Sequence, residues 1–374
     1  MVESYISELL PAKYIKRHQL MLYLYDILVD ILVKADKYKL ANLSFKFTNK
    51  IDNKVDFLDE LERQRDLEIS ERVFIPHIFF SILRDLNYYL FESLSCIERG
   101  KVTVAFSLAR KPFQDNLFYL SWMLVQPREF LEKVQYGDSG EYDVSDLRGK
   151  KDFVIDLFSK AKVLVQSRNS SLDFSQELLN PELLYDVIYN RRAENSLTSA
   201  FDKSIHLVTR NKNYPTEKKN LNFIFADDKI WDDFWDLYYK KIPYILLYLV
   251  EVIVAIFEKY VDIDEETSEF NRYIRNLKII LALSEDDNKE LESIFDLIFS
   301  SDYLSMNCDE CGNQFEFNMA VVNEIREDYL YTCQKCGFVE RLGQYFVSDE
   351  LLSHRKKIMI DNSDNENWKL ILDK

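Results

Sequence analysis

Apolar residues recur every three to four positions through most of the first 300 residues, the period of amphipathic helices. From Leu20 to Val33, the residues Leu20, Leu24, Ile27, Leu28 and Ile31 fall on one face and predict a helix. The same spacing predicts helices over about 73–99 (Phe74, Phe79, Ile82, Leu86, Leu90) and 103–125 (Val104, Leu108, Phe113, Leu117, Leu120). A helix over 228–259 starts with Asp227 or Asp228 as its N-cap, and Pro243 is expected to kink or divide it. Further helices are expected over 267–283 and 287–300. The stretch from Tyr136 to Gly149 holds three of the seven glycines and reads as a loop, either a domain boundary or a connection within one helical domain. A second polar stretch, Arg210–Asn220, separates two helical regions. After residue 300 the texture changes to short β-like runs at 314–317, 329–332 and 338–341. The expected fold is mainly α: a large multi-helix bundle over 1–300 with a possible subdivision near 136–150, a small β module over 301–346, and a tail over 347–374.

Composition supports long helices, because 374 residues carry only 7 Gly and 7 Pro. Charge narrows the partners. Lys and Arg total 48 against 64 Asp and Glu, a net charge of −16, and the whole excess lies after residue 130. Such a chain is repelled by phosphate backbones and anionic membranes unless its bases are concentrated locally. The most apolar stretch, 242–257, is shorter than the ~20 residues a membrane span needs and contains Glu251, so it reads as a buried core helix. The opening Met1-Val-Glu-Ser has neither a basic region nor a long apolar run, which predicts a cytoplasmic protein.

The sharpest chemistry lies in the cysteines. Cys308-Asp-Glu-Cys311-Gly and Cys333-Gln-Lys-Cys336-Gly are two turns with 21 residues between them. Two residues between cysteines let both thiolates of a turn face one ion, and the following glycine permits the left-handed backbone such a turn needs. These residues resemble a zinc ribbon over about 306–343. The resemblance implies one Zn²⁺ held by Cys308, Cys311, Cys333 and Cys336. Four thiolates would leave no position for water, so the metal is expected to be structural. A rubredoxin-like iron centre uses similar turns, usually with a proline that is missing here; two disulfides need an oxidising compartment. Between 308 and 337 six acidic residues face two basic ones, which disfavours phosphate contact and favours a protein partner or docking on the chain's own helices. Cys96, alone in an aromatic helix, reads as a buried thiol.

Candidate catalytic residues are few. Only four histidines occur, and no HExxH, GxSxG, P-loop or dinucleotide fingerprint is present. Arg72-Val-Phe-Ile-Pro-His77 resembles the Arg-x(4–6)-His motif of helical HEPN ribonucleases, although Val73 and Pro76 depart from it. That resemblance implies a metal-independent ribonuclease or phage-defence effector, with RNA as partner. A basic focus, Arg191, Arg192, Lys203, His206 and Arg210, stands out in the acidic half. On a helix Lys203, His206 and Arg210 would share a face and could bind a phosphate or an acidic partner; pairing with Asp202 and Glu194 is the ordinary alternative. The run 96–120 is similar to uncharacterised bacterial helical domains with a Gly-started helix and a central Arg. It puts Arg110 beside Gln114 or Asp115, with Asn195, Ser196 and His206 as further lining residues. The reading with most support is an interaction or regulatory protein, oligomeric or not, with a structural zinc; the ribonuclease is the alternative.

Overall fold

The computed structural model describes residues 9–49, 57–166, 180–193, 196–218, 220–224 and 227–283, and, in short stretches, 307–308, 310–314, 318, 320–321, 324, 330–341, 343–353, 357–364 and 368–371. The expected helix over 287–300 lies outside them, as do Glu194, Asn195 and the 315–317 part of one β-like run. The fold is mainly α.

Helix α1 (Ile15–Lys37) buries Leu20, Leu24, Ile27, Leu28 and Ile31, the face that periodicity selects. After α2 (Phe57–Gln64), α3 (Leu67–Glu98) begins six residues before the expected boundary. Its start is set by Asp66, whose carboxylate accepts the backbone N–H groups of Glu68 and Ile69. Pro76 is accommodated within this helix. Gly100 then turns the chain at φ +70°; a Cβ there would stand 2.9 Å from the Trp231 ring, whose Nε1–H donates to the Gly100 carbonyl. Helix α4 (Val102–Arg110) passes into a π-helical segment, Lys111–Asn116, and then into α5 (Leu117–Val125). Pro112, which cannot donate a backbone hydrogen bond, sits inside the π segment.

Past α6 (Pro127–Tyr136), the expected loop contains two single-turn helices, α7 (Ser139–Tyr142) and α8 (Val144–Leu147). Local capping explains them: Asp138 and Glu141 form a reciprocal box, and Asp143 accepts from the Ser145 N–H. Helices α9 (Lys151–Gln166), α10 (Pro181–Ile188) and α11 (Leu197–Ile205) follow, the last two capped by Asn180 and Ser196.

The centre of the molecule is α12 (Asp228–Val261), capped by Asp227. It runs as one helix through Pro243, so the proline does not divide it. Packed against α1, α3, α4, α5 and α9, it buries nearly the whole circumference of 242–257. Among the described residues no helix is long and apolar enough to cross a membrane. Helix α13 (Glu265–Leu283) follows after Asp262 turns the chain in a left-handed conformation. Two small sheets complete the fold. Strands β2 (Leu330–Thr332) and β3 (Val339–Arg341) form an antiparallel hairpin. Strand β1 (Phe45–Phe47) pairs in parallel with β4 (Ile358–Asp361), which pairs antiparallel with β5 (Lys369–Ile371). The segment after 347 therefore supplies a short helix, α14 (Asp349–Ser353), and two strands.

Candidate metal centre and basic cavity

Two matching turns build the cysteine site. In the first, the Gly312 N–H donates to the Cys308 carbonyl and the Cys308 N–H to that of Asn313. In the second, Gly337 donates to Cys333 and Cys333 to Phe338, at the same 2.8–2.9 Å distances. Gly312 and Gly337 adopt φ +64° and +73° with open space where a Cβ would stand, so backbone conformation and not crowding calls for glycine. The β2–β3 hairpin carries the second turn between its strands.

All four sulfurs lie within 4.8 Å of one another, with Cys308–Cys336 at 3.8 Å and Cys311–Cys333 at 3.7 Å. A disulfide needs about 2.05 Å. Metal–sulfur bonds of about 2.3 Å in a tetrahedron give sulfur–sulfur edges of about 3.8 Å. The donor set and its spacing thus fit one tetrahedral thiophilic ion. Backbone N–H groups of Cys336 and Lys335 point at the Cys333 sulfur and favour its thiolate.

The turns rest on the chain's own helices. Cys308 and Cys333 are buried with Phe270, Val321 and Tyr331, and Ile274 and Phe346 pack alongside. The next residues tie down tightly. Tyr345 is fully buried; its N–H donates to Asp30, its hydroxyl to Glu258, and its carbonyl accepts from Lys34. Phe346 and Asn271 exchange two 2.6 Å hydrogen bonds. No sequence signal marked Tyr345, because its partners come from two distant helices, α1 and α12.

The second site is an open cavity of about 870 Å³ between α4, α10 and the loop after α11. Arg110, Arg191, Arg192, His206 and Arg210 all line it, joined by Lys212. Lys203 does not, and the helical face proposed for it with His206 and Arg210 does not exist. Helix α11 stops at Ile205, and His206 is already extended at φ −110°, ψ 125°. The loop that follows is braced internally: Asn222 donates to the His206 carbonyl and Thr216 to that of Thr209, while the Thr209 hydroxyl donates to the Tyr214 carbonyl.

Of the two acids expected to pair with these cations, Glu194 lies outside the described residues and Asp202 is engaged elsewhere. Asp202 accepts the Tyr214 hydroxyl at 2.6 Å, and burial followed by this carboxylate pushes the Tyr214 phenol up to about 12. Among the described residues no carboxylate lies within 4.0 Å of Arg191, Arg192, Arg210 or Lys212. Arg110 donates to Gln114, which Arg148 also reaches. Gln114 itself is fixed by donating to the Ile188 carbonyl and by its own carbonyl accepting the buried Tyr189 hydroxyl. Asp115 is the neighbouring acid; burial raises its carboxyl, and Arg110 and Arg148 pull it back down. Ser196 caps α11 from a buried position.

The remaining candidates are dispersed. His77 is exposed on α3 and lines no part of this cavity. Cys96 is buried, and burial pushes its thiol up, the opposite of a nucleophile's requirement. Scanning against family models, curated proteins and solved structures returns no match to this chain.

Proposed function

We propose that this chain is a cytoplasmic interaction or regulatory protein whose C-terminal ribbon is folded by one structural Zn²⁺ and meets a protein partner. The observation that carries the reading is the pair of sulfur–sulfur distances, 3.7 and 3.8 Å, which match the edge of a zinc–thiolate tetrahedron. The ion would supply a crosslink worth on the order of 10 kcal/mol to turns whose core, among the described residues, is four buried side chains packed on Phe270 of α13. A closed four-sulfur shell supports a structural role. The acidic ribbon, with Phe338 and Val339 exposed on its hairpin, supports a protein partner over nucleic acid. Elemental analysis is expected to find one Zn per chain. Cys333→Ser is expected to lose the metal and the order of the ribbon while keeping most of the helical circular dichroism. Iron in place of zinc, or a metal-free protein with an intact ribbon, would overturn the reading.

One observation favours a second reading, a metal-independent ribonuclease or defence effector: His206 stands in a cavity with Arg110, Arg191, Arg192 and Arg210. RNA cleavage that falls by about 10²- to 10⁴-fold in His206→Ala would promote it over the first.

A further inference from the structure

The basic cavity has features that neither the zinc nor the ribbon explains. Its volume of about 870 Å³ falls within the ~300–1,000 Å³ of small-ligand sites. In a chain with 64 acidic residues and a net charge of −16, unpaired cations ought to find carboxylates. Among the described residues Arg191, Arg192, Arg210 and Lys212 have none within 4.0 Å, and Arg110 donates to an uncharged glutamine, with Asp115 as the neighbouring acid. Like charges facing one space repel each other, and an anion entering it would relieve that repulsion.

The surroundings hold these cations in place. Tyr189 and Gln114 fix the floor under Arg110, and the hydrogen bonds among Thr209, Tyr214, Thr216 and Asn222 fix the loop bearing Arg210 and Lys212. Such bracing reduces the ordering cost of binding. Two aromatic residues, Tyr185 and Tyr189, also line the cavity, with ring centres 6.0 Å apart.

We propose that this cavity binds a small molecule carrying a diphosphate or triphosphate group. Guanidinium forks match phosphate oxygens two at a time, and five permanent cations against one engaged carboxylate suit a ligand of several negative charges. The two tyrosines offer a face for a ring attached to those phosphates. A long polyanion fits less well, because beyond the cavity it would meet the negative field of the rest of the chain. The inference is independent of the metal, so its failure would leave the zinc reading untouched.

Calorimetry on the full chain with pyrophosphate, ATP, citrate and a single-stranded RNA 12-mer tests it. Pyrophosphate and ATP are expected to saturate one site below about 1 mM and to weaken as salt rises. The exposed-residue variants Arg191→Ser/Arg192→Ser and Arg210→Ser are each expected to weaken binding at least about tenfold with an unchanged melting temperature. Tighter binding of ATP than pyrophosphate, lost in Tyr185→Ala, would assign the tyrosines to the ring. Absence of saturation by both phosphate compounds, equal affinity for citrate, unchanged binding in the arginine variants, or preference for the RNA would each overturn the proposal.

Discussion

Asp26 sits partly buried on α1, with no cation within ion-pair distance among the described residues. Burial, and then the nearby charge of Asp30, push its carboxyl up to about 6. The native chain therefore keeps this proton at pH values where the unfolded chain has released it. The resulting stabilisation is complete below about pH 4 and is lost as pH rises through about 6. Asp26→Asn is expected to gain about 1–2 kcal/mol over wild type above pH 7, after allowance for partial exposure, and to match it at pH 4. Urea unfolding at the two pH values checks this, and a pH-independent difference would remove Asp26's ionisation as its cause. At this scale the sequence was informative where chemistry is local. Cysteine spacing and the glycine after each pair depend only on near neighbours, and both turns have the expected geometry. Arg191, Arg192 and Arg210 of the cavity were also visible as a charge cluster. Tyr214 was not, because its engagement of Asp202 depends on how a loop of irregular backbone folds back.

Between elements, a buried ion pair joins α12 to α13. The Arg275 guanidinium grips the Glu251 carboxylate through two hydrogen bonds of 2.5 and 2.8 Å, with both groups buried. Removing one partner strands the other charge away from water. Arg275→Met is thus expected to cost about 3–5 kcal/mol, and adding Glu251→Leu to recover most of it. Equal losses in the single and double variants, measured by denaturant titration, would show that the cost is one of shape alone. Glu251 had served in the sequence as an argument against a membrane span; its partner lies 24 residues away and no local pattern could name it. Long helices were legible because a 3.6-residue period repeats many times along them. The helices α7 and α8, four residues each, are too short to show a period and are fixed by Asp138 and Asp143 instead. The extension of α3 to Leu67 likewise depends on one cap residue, Asp66.

Over the whole molecule, the two ends of the described chain meet in one sheet. Leu61, Ile69, Ile360 and Trp368 form a buried cluster, against which Phe45, Phe47, Phe57 and Phe74 pack. Trp368 stacks on Phe57 and meets Phe47 edge-on. Trp368→Ala is expected to cost about 3–5 kcal/mol and Trp368→Phe much less; a loss under about 1 kcal/mol in the alanine variant would mean that the cluster does not hold the ends together. The strands are three or four residues long, and β1 lies more than 300 positions from its partner β4, so no pattern in the linear sequence marked this sheet. The pairing also imposes an order in time. A ribosome adding about 5–20 residues per second takes roughly 15–60 s to travel from Phe45 to its partner Ile358. Throughout that interval the aromatic side chains of β1 have emerged without the strand that covers them. Until Ile358 has emerged, the nascent chain exposes one short aromatic strand without its partner, and stalling before that point would leave a largely helical product with an uncovered, aggregation-prone strand.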